Sequence, residues 1–290
     1  AAILGYSLLA CSICGCSADT TRTTESTETS TDSSYAVTHL DSDDMFTDRD
    51  KEVGYDEETS VSVQLADSAT SCSDNSVTVT DDTITISDEG TYILSGSLND
   101  GQVIIDADEN AKIQLVLDNV SINCDTSAAI YVRQADKVFV TLADDSENTL
   151  SNTSDFVAID DNNIDGVIFS KSDLTLNGSD TLTIEADSDG IDAEETLQID
   201  GGSMTIAAGD DGVHSDRDLI ITDGTIDVTK SYEGLEGMTV TIEDGDISVV
   251  SSDDGLNAAG DPADASSDNS DSNESNSDML NPGEENANPS

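Results

Sequence analysis

Carboxylates recur at two fixed places in the second half of the chain. One place is immediately before a recurrent glycine: Asp165, Asp189, Asp211, Glu233 and Asp254 precede Gly166, Gly190, Gly212, Gly234 and Gly255. The other is two positions after that glycine, where Asp192, His214, Glu236 and Asn257 stand. Asp-Gly is a turn former, so the first set is compatible with solvated turns and nothing more. Turn chemistry does not require the second set. If the segments stack, both sets become columns, and in the first like charges about 5 Å apart cost roughly 3 kcal/mol per neighbouring pair at an effective dielectric near 20. A divalent cation removes that cost. Calcium takes six to eight oxygens at about 2.3–2.6 Å, so carboxylates on adjacent rungs can share one ion. The residues expected to hold Ca2+ are Asp189, Asp192, Asp211, His214, Glu233, Glu236, Asp254 and Asn257. His214 is the one nitrogen among oxygens, and taken singly it reads as a surface side chain, because an oxygen-rich site suits a hard cation.

Other chemistries find less support. Glu185, Asp187 and Asp189-Gly190 imitate an EF-hand loop, but its twelfth position is Thr196 and no helical pattern flanks it. There is no serine nucleophile elbow, zinc motif or phosphate loop. A lyase acting on uronates needs a base beside its calcium, and the candidates are Lys112, Arg133, Lys137, Lys171, Arg217 and Lys230. Paired acids are so numerous that pairs arise by chance, and they identify no hydrolase.

The elements that must position the columns come from a repeat. LTLNGSDTLTIEADSDGIDAEE from Leu174, LQIDGGSMTIAAGDDGVHSDRD from Leu197, LIITDGTIDVTKSYEGLEGM from Leu219 and VTIEDGDISVVSSDDGLNAAGD from Val240 align on Gly190, Gly212, Gly234 and Gly255, spaced 22, 22 and 21 residues apart. Gly166 aligns as a fifth anchor 24 residues earlier, and Ala129 takes the same place before an insertion around residues 144–163. Each copy holds three short pieces with apolar residues at period two, separated by Gly-Gly, Asp-Gly or Asn-Gly. Three strands in about 22 residues make one coil of a right-handed parallel β-helix, an all-β fold, with Leu174, Leu197, Leu219 and Val240 as one inward column and Ile191, Val213, Leu235 and Leu256 as another. A leucine-rich horseshoe would need a helical half, which is missing. An antiparallel sandwich would not space its strands so evenly.

Composition agrees. Aromatics are 3% and Trp is absent, too little for a conventional core but enough for thin ladders of Val, Ile and Leu. Nine basic against 63 acidic residues give a net charge of −54, which repels nucleic acid and anionic membrane faces and suits calcium or a basic or neutral partner. Solubility alone would also account for it.

Residues 1–16 read as a signal or lipoprotein leader, too short for a comfortable membrane span. Gly15-Cys16-Ser17 resembles a bacterial lipobox, making Cys16 the expected lipidation site, with Cys11 as the alternative after Leu8-Leu9-Ala10. Residues 17–34 are a disordered Ser/Thr/acidic tether, 35–76 an N-terminal cap or first strands, 77–260 the β-helix, and 261–290 a disordered acidic tail. The expected location is extracellular, lipid-anchored at the bacterial cell surface, with membrane contact only through the anchor. Cys72 and Cys124 pair there or remain separate buried thiols.

The segments GTYILSGSLNDGQVIIDA, VLDNVSINCDTSAAIYVRQADKV, ENTLS, IFSKSDLTLNG, DDGVHSD and DDGLNAAGD, across about residues 75–260, resemble the clostridial carbohydrate-binding β-helix family. The resemblance implies a right-handed parallel β-helix, bound calcium, surface attachment and affinity for acidic plant polysaccharide such as polygalacturonate, without established lyase activity. It is carried onto the acidic positions beside Gly190, Gly212, Gly234 and Gly255 only. Family members usually continue past the NAAGD-like motif into further coils, which this sequence does not. The expectation is a non-catalytic, calcium-dependent carbohydrate-binding surface protein for acidic pectic polysaccharide. A calcium-dependent lyase and an adhesive stalk are the alternatives.

Overall fold

The computed structural model describes residues 49–50, 52–157 and 159–258. The leader with Cys16, the tether and the acidic tail lie outside the described residues. What is described is a parallel β-helix. One sheet stacks Val61–Leu65, Gly90–Leu98, Lys112–Asn123, Lys137–Leu142, Asp173–Ala186, Leu197–Ala207, Asp218–Ser231 and Thr239–Ile242 in that order. A second, shorter-stranded sheet stacks Thr83–Ile86, Gln102–Asp106, Ile130–Gln134, Gly166–Ser170, Asp189–Ala193, Val213–Ser215, Leu235–Gly237 and Leu256–Ala258. Neighbours along both stacks are parallel, each strand carrying its chain on to the next coil. Val77–Thr80 is the exception, because it pairs antiparallel with Thr83–Ile86 and starts the stack as a hairpin.

The three pieces expected in each coil are all present, but two of them join into one bent strand. In Asp173–Ala186 the first face runs to Gly178 and the second starts at Thr181. The bend recurs on successive rungs at Gly178, Gly201 and Gly224, with φ of 108°, 124° and 111°. An L side chain rarely adopts that backbone, so glycine makes the corner. The anchor glycines serve a different purpose. A Cβ on Gly212 would stand 2.6 Å from the carbonyl oxygen of Gly234 and 2.8 Å from a Val228 methyl. Only glycine lets the third face come that close to the next rung.

The core fills the space between the faces. Leu174, Leu197 and Leu219 are fully buried in register, as are Ile191, Val213 and Leu235. Both columns are less buried over the last described rungs. Val240 is only partly buried, and Ile242, Val250 and Leu256 are exposed.

Two details differ from the sequence expectation. Ile168 stands opposite Ile191, so Gly166 faces Asp189 and Val167 takes the anchor place opposite Gly190. The rung is displaced by one residue because the chain arrives from a loop and not from a regular coil. The insertion is also shorter than 144–163, since Glu147–Asn152 is a strand that pairs with Ser121–Asn123 below and Thr181–Ala186 above.

Ahead of the coils, Arg49 and Asp50 lie on the outer face of the long sheet. Asp50 is completely buried and pairs with the Lys137 ammonium. It also accepts from Thr175 Oγ1 at 3.2 Å, while the Arg49 guanidinium sits 4.4 Å from the Phe139 ring centroid. A buried charge of this kind is tolerable only with such partners. Cys72 and Cys124 are both free.

Candidate functional site

The expected columns exist, on the outward side of the short sheet. Asp192 pairs in register with His214, and Glu236 with Asn257. The ligand atoms of Asp189, Asp192 and His214 lie within 4.8 Å of one another. So do those of Asp189, Asp210 and Asp211, and those of Asp211, Glu233 and Glu236. The three groups share Asp189 and Asp211, which makes one continuous chain of carboxylates across successive rungs. The strands hold it firmly: Asp211 N–H donates to Asp189 Oδ1 at 2.8 Å, and Gly190, Gly212 and Gly234 N–H groups bond the carbonyls of Asp211, Glu233 and Asp254.

Proton affinities report the crowding. Asp189 is only 7% exposed. Burial, with the charges of Asp165, Asp192 and Asp211, lifts its carboxyl to about 8 despite the backbone hydrogen bond. Burial and Asp192 push Asp165 up to about 7, and Asp165 Oδ1 is buried without a hydrogen-bond donor. Burial and Asp210 raise Asp211. Burial and Glu233 lift Glu236 to about 7, while Glu233 is lowered by hydrogen bonds from Glu236 and Asn257. Glu236 therefore keeps the proton that Glu233 accepts. A cation bound to these oxygens would release those protons.

His214 acts as a cation built into the column. Burial alone would lower its pKa. The Asp192 hydrogen bond at 2.9 Å, with the charges of Asp192, Asp216 and Asp189, raises it to about 9. Its imidazolium balances the Asp192 rung. The next group, Asp211 with Glu233 and Glu236, contains oxygen donors only.

Two of the expected residues stand apart. Asp254 is exposed and contributes its backbone carbonyl to Gly234, with no place in the three groups. Asn257 touches the chain as a donor, its Nδ2 reaching Glu233 Oε2 at 2.8 Å. Two others join the ladder without having been selected as ligands. Asp165 was visible in the glycine-flanking column. Asp210 was visible only as the first half of the Asp-Asp-Gly triplet, since its place beside Asp189 depends on how the corner folds.

Upstream, the same outward column changes character. Asp192 faces Phe169, Phe169 faces Tyr131, and Tyr131 faces Ile104. These three apolar residues are buried under the loop after Asn152, where Phe156 and Ile164 pack on them. The basic residues near the column are engaged. Arg133 bridges Asp106 at 3.1 Å and Asp160 at 3.3 Å, Lys171 lies 3.4 Å from Glu194, and Arg217 binds Glu195 at 2.5 Å.

Residues 80–263, more than half of the chain, match the family described as carbohydrate-binding domain-containing protein. The chain belongs to that family. A carbohydrate-binding domain-containing protein of Acetivibrio thermocellus is 37% identical over 118 residues, covering 40% of this chain and 41% of the relative. The chain thus matches less than half of that relative's length. A solved structure, the polysaccharide lyase-like protein from C. thermocellum as a gadolinium derivative, superposes with a TM-score of 0.63 at 25% identity over 69% of this chain and 95% of that one. The carbohydrate-binding fold and its ladder occupy the matched region, since every residue from Asp165 to Asn257 falls between residues 80 and 263.

Proposed function

We propose that this carbohydrate-binding protein holds acidic polysaccharide through calcium ions seated on the short-sheet ladder, without cleaving it, and that it does so at the bacterial surface on a lipid anchor at Cys16. The observation that carries the reading is the trio Asp211, Glu233 and Glu236, three carboxylates converging within 4.8 Å with no nitrogen among them. Hard cations prefer such donors. The raised carboxyls around it and the undonated Asp165 Oδ1 fit the same demand for positive charge. Gadolinium, present in the related solved structure, is also a hard, oxygen-seeking cation. An ion bound at the trio keeps open coordination places for a uronate carboxylate, and so reconciles a protein of charge −54 with a polyanion. Asp192 and Asp189, with His214 supplying charge, orient the ion's neighbours.

The lyase reading draws on the solved relative's description as polysaccharide lyase-like. It needs a free base beside the ion. Arg133 and Arg217 are both consumed in ion pairs, which favours binding over elimination. The test is retention of the full chain on immobilised polygalacturonate with calcium or with chelator, while ultraviolet absorbance reports unsaturated product. Retention only with calcium and flat absorbance is the expected result. Rising absorbance would make the protein a lyase, and no retention in either condition would overturn the pectic reading.

A further inference from the structure

The outward column of the short sheet has two halves. Where it is open it is polar: Asp192, His214, Glu236 and Asn257. Where the loop 153–165 lies across it, it is apolar: Ile104, Tyr131 and Phe169. Three rungs at about 4.8 Å make a roofed stretch roughly 14 Å long. The loop is fastened on both chemistries. Phe156 and Ile164 are its apolar feet. Tyr131 Oη donates to Asp160 Oδ2 at 2.8 Å and accepts from Asn162 Nδ2 at 2.7 Å, Arg133 Nε is 3.3 Å from Asp160, and Lys171 donates to the Asn162 side-chain oxygen. Its crest carries Val157 and Ile159, both exposed. An apolar outward column is stable only when covered, so the residue types on the strand match a permanent roof and not a passing one.

The consequence concerns what fits in the ladder. We propose that the 153–165 loop is a wall closing one end of the glycan groove, so that the protein recognises the end of an acidic polysaccharide chain and not its interior. The inference rests on the reading that the ladder holds the glycan through cations. A chain laid along the column, its carboxylates matched to successive rungs, stops at the upstream end against the loop, which returns to the sheet at Gly166, directly beside Asp192. A chain crossing the column at right angles would pass the wall freely, and this is the arrangement the experiment must separate.

The test titrates the full chain, in calcium, with galacturonate oligomers of defined and increasing length, and counts protein bound per glycan chain at saturation by sedimentation. End recognition gives one protein per chain whatever the length. A count that climbs in proportion to length overturns the wall while leaving calcium-dependent binding intact. Absence of binding to every oligomer and to the polymer removes the underlying reading, and the wall with it. A variant joining Thr153 to Asp165 through a short Gly-Ser link adds a second check. Provided that its unfolding remains cooperative, its count should climb with length where that of the parent does not. A count still fixed at one would show that the end is selected elsewhere. The parent titration needs no altered protein, so a misfolded variant does not remove the test.

Discussion

Replacing Asp189 by Asn should make the ion-free protein more stable above pH 4. The side chain is buried, and its carboxyl is lifted from 3.8 to about 8. A group whose folded pKa lies above its unfolded one prefers the protonated form on folding, so stability falls as pH rises between the two values, by about 1.4 kcal/mol per pH unit. At pH 7 the accumulated cost is roughly 4 kcal/mol, and it levels off above pH 8. A neutral amide in place of the carboxyl would remove that cost while keeping the acceptor oxygen that the Asp211 N–H uses. Urea unfolding in chelator should therefore show parent and Asp189→Asn alike near pH 4 and separated by a few kcal/mol at pH 8, with the variant more stable. Equal stabilities at pH 8 in chelator would refute the claim that the ladder is electrostatically loaded.

Three further outcomes follow from other parts of the molecule. The His214 imidazole should titrate near pH 9 by nuclear magnetic resonance, against an ordinary value of 6.5; the stability it contributes is complete below pH 6.5 and lost as pH rises through 9, a loss that His214→Gln abolishes. Gly212→Ala should cost about 1–3 kcal/mol by overpacking, because the new methyl meets the Gly234 carbonyl at 2.6 Å, and thermal unfolding would register it. Lys137→Met should cost about 3 kcal/mol in denaturant by removing the ammonium paired with the buried Asp50 carboxylate, and Lys137→Met with Asp50→Asn should recover part of that.

Most of the fold was legible because the period is carried by residues with steric reasons to recur. Gly190, Gly212 and Gly234 recur because the next rung's carbonyl leaves no room for a Cβ, and the inward leucines recur because each must meet the one above. The ladder was legible for the same reason, since a fixed sequence offset becomes a fixed place on a rung. Legibility ended where regularity did. The anchor at Gly166 slips by one residue because the loop before it sets the entry point, and no spacing records that. Phe169 was hidden by the same slip, which puts Ile168 two places after Gly166, whereas Tyr131 stands two places after Ala129 and was open to the same reading. Asp50 has no local signal at all, because its partner Lys137 and its donor Thr175 lie in distant coils. His214 was read among the metal ligands from its place in the column, whereas its charge depends on Asp192 and Asp216 on either side, which only the folded rung brings together.

The lower burial of the last described rungs, where Ile242, Val250 and Leu256 are exposed, gives the ladder's position a mechanical meaning. A β-helix is a one-dimensional zipper in which each rung is held only by its neighbours, so it frays from its ends inward. Glu233 and Glu236 sit one rung before the last described one, and Asp211 one rung deeper. An ion bound across them, as proposed, would be a clasp between neighbouring teeth. Calcium concentration would then set how far the zipper stays closed, and hydrogen exchange along Leu235–Gly237 and Leu256–Ala258 would trace the clasp fastening and releasing.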